Sequence, residues 1–393
     1  MSRIYKSIST TELERRWRLA RSLMAQRGVD VLVMQNHNDW LGGYVKYFTD
    51  LPANHGYPRA VAFYREDLMT VVEQGNFGGH RVLKGEDAIY RGVGDVFTTS
   101  PFVSVAYTAD YDADLLADDI LRKKPGKVGF IGAAAMYHGF ASRLRERLRG
   151  AEIVDLTDAL DHIKAVKSME ELSMLRECAA MQDRIFEKVV AAIKPGMRDV
   201  ELIALARHEG ELQGSEQGIY LGGSAPMGQS ARFQHPHFQN RTLREGDHFV
   251  ILIENNGPGG FYTEVARTIV LGKASNHLID AFETVREAQT HSLSHIRPGA
   301  APREIFAEHN KFMKARGVPE ETRLYAHGQG YDLVERPLVR HDETMKLDAG
   351  MCLAVHPGYD DGVCWAVICD NYLLHADRPP ELIHQTAKKV FEV

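Results

Sequence analysis

The sequence predicts an α/β chain of two domains, and three observations carry that prediction. Through residues 1–160, short apolar strands alternate with amphipathic helical patterns, the mark of a layered α/β domain. Ser168-Met169-Glu170-Glu171 then matches the S-x-x-E capping signal at the start of a second domain, residues 161–393, of mixed α and β pattern. Within it, Ile193-Lys194-Pro195-Gly196 returns 103 residues later as Ile296-Arg297-Pro298-Gly299. Each copy lies between two helical patterns, which indicates a duplicated half-domain.

Taken in order, residues 10–28 read as an amphipathic helix with Leu13, Trp17, Leu19, Leu23 and Met24 near helical spacing and Gly28 as the stop. Val31–Gln35, Ala60–Tyr64 and Met69–Glu73 read as buried strands. Lys127–Ile131 is another, followed by a helix over 134–149 and a last strand at Ile153–Leu156. The segment 163–171 leads into the second domain, whose first helix runs from 169 to about 192.

Composition narrows the function. Hydrophobic residues make up 44% and charged residues 25% of the 393 positions, which is globular rather than disordered. Net charge is −6 with no Lys/Arg-rich run, so neither nucleic acid nor a membrane surface is an expected partner. No apolar run reaches the roughly 18 residues of a membrane span. The opening Met1–Lys6 lacks the apolar stretch of a signal peptide. Four cysteines (178, 352, 364, 369), none in a CxxC pair, give no disulfide framework or zinc ribbon. A reduced, cytoplasmic enzyme acting on a small molecule is the expectation.

The chemistry concentrates in four blocks. His235 lies in His235-Pro236-His237, ahead of Gly246-Asp247. A strand, a glycine-rich turn and a second strand cover Phe249–Thr268 and carry Glu254 and Glu264, readable as paired carboxylates on one pocket, or with Glu254 capping the turn. His327 sits in Ala326-His-Gly-Gln-Gly330, where the glycines suit close approach of backbone to a ligand. His356 follows 29 residues later in Val355-His-Pro-Gly358, and Cys369 another 13 on in Ile368-Cys-Asp370.

This order and spacing resemble the metal-binding core of the creatinase / aminopeptidase P / methionine aminopeptidase superfamily. Its blocks read HG-x-G, then GM-x-x-x-x-EPG, then I-E-D, and feed a two-metal centre. The resemblance implies a small N-terminal creatinase-like α/β domain and a C-terminal "pita-bread" domain with an internal pseudo-twofold repeat, which the I-[KR]-P-G echo supports. It implies His235 as acid/base, Glu264 (four residues after Gly260, before Arg267-Thr268) in an acidic ligand position, and His327 as catalytic ligand or substrate contact. Glu254 stands one residue off its expected place counted from Gly260.

The departures are equally specific. His356 and Cys369 replace two glutamates that bind hard cations, and Val334 stands where a second histidine is expected. Softer donors suit one ion, so Glu264, His327, His356 and Cys369 would hold a single Zn2+ or Fe2+, or, as in creatinase, no metal with the groups binding substrate directly. A dinuclear Mn or Co centre, which needs bridging carboxylates, is not expected. Cys369 as a nucleophile lacks any accompanying nucleophile elbow. In creatinase-like homodimers an N-terminal loop reaches the partner's site, so Tyr57 and Arg59 join Glu254 and His356 as substrate-binding candidates. The expected function is a creatinase-like hydrolase cleaving a C–N bond of a small carboxylated nitrogenous compound. The alternatives are an Xaa-Pro peptidase or DMSP-type lyase with a modified mononuclear site, and a non-catalytic binding protein.

Overall fold

Chain contacts separate Ser7–Lys164 from Ala165–Val393, with Lys6 packing on the second unit. The computed structural model describes residues 6–393 apart from Asp39, Gly42, Gln239 and the side chain of His237. Part of the expected loop 36–40 therefore lies outside the described residues.

In the first unit, helix α1 (Thr10–Arg27) starts where the Ser9 hydroxyl accepts the Glu12 N–H and ends at Gly28 in the left-handed region, φ 65°. Its buried stripe is Leu13, Trp17, Ala20 and Met24 at four- and three-residue steps, with Leu23 beside it. Leu19, expected in that stripe, falls off its axis and is 38% exposed. Strands β1 (Val31–Asn36), β2 (Arg59–Tyr64), β3 (Met69–Gln74), β4 (Gly79–Val82), β5 (Val93–Thr99), β6 (Lys127–Phe130) and β7 (Glu152–Asp155) form one sheet in the order β4-β5-β3-β2-β1-β6-β7. β1 runs antiparallel to β2 and parallel to β6, so the sheet is mixed. Helices α2 (Tyr44–Thr49), α3 (Tyr111–Arg122), α4 (His138–Arg147) and α5 (Thr157–Ala165) complete the unit. The helix expected over 134–149 is shortened because Met136 and Tyr137 are extended and the Tyr137 N–H is taken by Gln35 Oε1 at 3.0 Å.

The second unit opens with α6 (Met169–Ala192), capped reciprocally: the Ser168 hydroxyl accepts the Glu171 N–H at 3.2 Å and Glu171 Oε2 accepts the Ser168 N–H at 2.7 Å. It continues through α7 (Asp199–Leu212), β8 (Gly218–Pro226), β9 (Asp247–Asn256), β10 (Tyr262–Val270), α8 (Asn276–His295), α9 (Pro302–Ala315), β11 (Ala326–Gly328), β12 (Glu335–Leu338) and β13 (Cys352–Val355). The chain ends with β14 (Gly358–Asp360), β15 (Trp365–Val367), β16 (Asp370–Leu373), β17 (Glu381–Leu382) and β18 (Phe391–Glu392). Sheets β18-β10-β9-β8 and β12-β11-β13-β16-β17 each lie beside one helix pair, and β14–β15 is a hairpin.

The sequence echo is a structural repeat. Gly196 N–H donates to Leu243 and Leu243 N–H to Met197; likewise Gly299 donates to Leu347 and Leu347 to Ala300. Gly196 and Gly299 have φ of 91° and 84°, which favours glycine in both turns. A second matched pair follows, Gly246 to Leu271 and Gly350 to Leu374. The halves meet at equivalent residues: Ala266 and Cys369 exchange backbone hydrogen bonds, and the neighbouring Arg267 and Asp370 form a fully buried ion pair at 2.5 Å. Arg267 is further satisfied by the carbonyls of Ala387, Cys369 and Thr386, as a buried guanidinium requires. The functional groups gather beside this junction.

Candidate active site

The first half contributes its carboxylates from a hairpin. The β9–β10 register pairs Glu254 with Glu264, so both side chains leave the same face. The one-residue offset counted in the sequence is absorbed by the turn 257–261. There Gly257 packs so closely on α6 that a Cβ would lie 2.9 Å from that of Cys178.

The second half contributes two imidazoles. His327 on β11 pairs with Ala354 of β13, and His356 follows the end of β13, its N–H donating to the Tyr325 carbonyl at 2.7 Å. The ring centroids are 5.2 Å apart. The glycine after His327 serves a backbone contact rather than a ligand, because a Cβ on Gly328 would meet the Arg336 carbonyl of β12 at 2.4 Å.

These side chains converge. Nε2 of His327 and of His356 lie 3.6 and 3.5 Å from the same Glu264 oxygen, Oε1. The three ligand atoms lie within 4.8 Å of one another. His327 Nδ1 faces the Gly328 carbonyl at 3.0 Å; a carbonyl only accepts, so Nδ1 carries a proton and Nε2 is the atom turned to Glu264. Burial, with His327 and Arg323 adding to it, pushes the His356 imidazole well below its ordinary range, so it is neutral. Glu264 Oε1 and His356 Nε2 are buried without a hydrogen-bond partner. Leaving such groups unpaired costs roughly 1–3 kcal/mol each. One cation contacting all three donors removes that cost. The two measured separations also match the edge, about 3.4 Å, of a tetrahedron with ligand bonds near 2.1 Å. The residues present therefore fit a single metal ion.

Glu254 is held differently, through amides that the sequence reading missed. The Glu264 N–H donates to Asn371 Oδ1 at 2.7 Å, which fixes that amide's orientation. Asn371 Nδ2 must then donate to Gln329 Oε1, at 2.6 Å, and Gln329 Nε2 to Glu254 Oε1, at 3.1 Å, and to the Leu333 carbonyl. Burial raises the Glu254 carboxyl well above its usual range, and the facing Glu264 adds to it. Burial raises Glu264 too, but His327 and Cys369 oppose the rise. Gln329 occupies the variable position of the His327 block, and only its packing against Asn371 reveals its use.

Of the other predicted residues in the second unit, none joins the converging ligand atoms among those described. Cys369 is fully buried and its thiol faces the Glu264 backbone carbonyl at 3.5 Å. Burial, then Glu264, pushes that thiol up, so it remains protonated. Among the described residues it does not join the converging ligand atoms. His235 is exposed on a loop that returns to β8 through the Gly222–Gln234 bridge. That loop is fastened to β14 by Ser230 and Arg232, which both bond Asp360. Arg59 and Tyr57 belong to the first unit, where Arg59 Nε is paired with Glu73 at 2.9 Å and Tyr57 meets Phe102 edge-on. Val334 is 37% exposed before β12. All four cysteines are free and buried.

Two repeated half-domains closing on a carboxylate and two imidazoles define a pita-bread protein. The model of metallopeptidase family M24 matches residues 173–376, and the chain belongs to that family. It is 24% identical over 235 residues to the uncharacterized peptidase YqhT of Bacillus subtilis, covering 59% of this chain and 65% of that protein. It is 26% identical over 204 residues to the probable dipeptidase PepE of Mycobacterium tuberculosis, covering 51% and 54%. The matches thus span less than two thirds of these curated relatives. In three dimensions, the X-Pro aminopeptidase of Thermotoga maritima superposes with a TM-score of 0.78 over 96% of this chain and 99% of that one, at 16% identity, which shows a shared fold. No helix among the described residues is long and apolar enough to cross a membrane.

Proposed function

We propose that the protein is a hydrolase that cleaves a C–N bond of a small carboxylated nitrogenous compound at a mononuclear metal site. The observation that carries this is the convergence of Glu264, His327 and His356 on one point, with two of their atoms otherwise unpartnered. A divalent ion bound there would polarise the scissile carbonyl or amidine and lower the pKa of a water. Glu264 supplies the negative charge, and the two imidazoles present Nε2. Glu254, oriented by Gln329, holds a proton at its remaining oxygen and delivers it to the leaving nitrogen, while the carbon takes the hydroxyl of water and the water's other proton returns to Glu254. His235, on the loop fastened to Asp360, is a second acid/base on the solvent side. A homodimer in which Tyr57 and Arg59 reach the partner's site belongs to the same reading, but Arg59 must then give up Glu73.

The names of the relatives favour Xaa-Pro dipeptides as the rival substrates. Elemental analysis after dialysis should find about one ion per chain that depends on this cluster, bound at least tenfold more weakly in His356→Ala and Glu264→Ala. Loss of two ions per chain in either variant, or variants that retain the metal, would refute the mononuclear site. Release of proline from Xaa-Pro dipeptides, with N-carbamimidoyl amino acids left intact, would replace the proposed substrate class by the peptidase one.

A further inference from the structure

We infer a second metal site on the outer face of the α8–α9 pair, built from His291, His295 and Glu308 and suited to a borderline transition ion such as Zn2+ or Co2+. His291 and His295 stand four residues apart in the last turns of α8, a spacing that puts both imidazoles on one helix face and chelates zinc in other contexts. Their ring centroids are 4.9 Å apart. Glu308 comes from α9, and one ligand atom from each of the three residues lies within 4.8 Å of the others. The His291 ring is held in plane by stacking on Phe312 at 4.9 Å. Neither imidazole is hydrogen-bonded through a ring nitrogen among the described residues, so both lone pairs are available. Lys311 pairs with one Glu308 oxygen at 2.9 Å, which leaves the other for an ion.

Two imidazoles and a carboxylate are a sufficient protein ligand set for zinc, with the fourth position left to water. That position has room: His295 and Glu308 both line a cavity of about 630 Å3 that Glu304 and the 297–301 turn complete. The ion would tie α8 to α9. The opposite faces of this pair reach towards the candidate active site, Gln289 donating to Val355 O and His309 stacking on Tyr325. The inference does not depend on the function proposed above.

Chelator-treated full-length protein titrated with Zn2+, and with Co2+ followed by its visible spectrum, tests it. Wild type should bind one ion beyond the central one. His291→Ala/His295→Ala should lose only that ion, and His327→Ala/His356→Ala should keep only that ion. Glu308→Gln, which keeps the surface intact, should weaken it about tenfold. Zn2+ should also raise the melting temperature of His327→Ala/His356→Ala but not that of the same variant carrying His291→Ala/His295→Ala in addition. Equal stoichiometry and affinity in wild type and His291→Ala/His295→Ala would overturn the site.

Discussion

Gln329 shows how much one side chain can set. It lies between two glycines whose missing side chains let β12 and Glu335 close in, and it is the donor that orients Glu254. Replacing it with leucine strands the Leu333 carbonyl and the Glu254 oxygen in a buried place and leaves Asn371 Nδ2 only its weak contact to Cys352 Sγ. Gln329→Leu should therefore lower stability by about 3 kcal/mol, given roughly 1–3 kcal/mol per unpaired buried group. Urea unfolding checks this; a loss below about 0.5 kcal/mol would mean that the relay is not structurally coupled as described. Histidine 356 makes the complementary point. Its neutrality comes from burial and from its neighbours, and nothing in Val355-His-Pro-Gly358 announces either.

At the scale of elements, the two I-[KR]-P-G turns perform the same task. Each glycine follows a long helix, adopts positive φ and donates its N–H to a leucine carbonyl about fifty residues on. A Cβ at either position would meet nothing within 4 Å, so the cost of substitution is conformational alone. Gly196→Ala and Gly299→Ala should each lose about 1 kcal/mol, and by similar amounts. Thermal unfolding of the two variants that showed one costly and the other neutral would break the equivalence of the halves. Legibility in the sequence follows from how local the cause is. The capping box at Ser168, the stop at Gly28 and these two turns were readable because residues within one turn of chain create them. The edge strand β4 and its neighbour β5, with sequences GHRV and VGDVFTT, were not, since only pairing in the sheet makes them strands. Leu19 was misplaced by one face for the same reason: spacing alone tolerates it, but the burial stripe excludes it.

Across the whole second unit, a buried polar layer ties α6, β9, β10 and β16 to the C-terminal tail. His384 is central to it. The Asn371 N–H donates to His384 Nδ1, so the ring's proton sits on Nε2 and goes to Gln182 Oε1. Burial lowers this imidazole from 6.5 to about 4. Between those values the unfolded chain binds the proton and the folded one does not, so stability falls as pH drops through that window. The loss should reach at most about 3 kcal/mol. Urea unfolding at pH 7 and pH 4.5 measures it. His384→Leu should be less stable at pH 7 yet flatter with pH, and identical slopes for the two proteins would sink the assignment.

Sequence alone determined the two-domain α/β class and the duplicated half-domain, because these rest on periodicity, capping and turn chemistry within short stretches, and it carried the frame of the His and Glu blocks through their resemblance to the creatinase / aminopeptidase P superfamily. Tertiary structure decided which of those blocks share a site. It brought Glu264, His327 and His356 to one point and left Cys369 beneath the Glu264 backbone, although spacing had grouped all four. The reason is the pseudo-twofold junction. Cys369 is spent on pairing with Ala266 where the halves meet, and its side-chain direction is set by that pairing rather than by its place in the sequence.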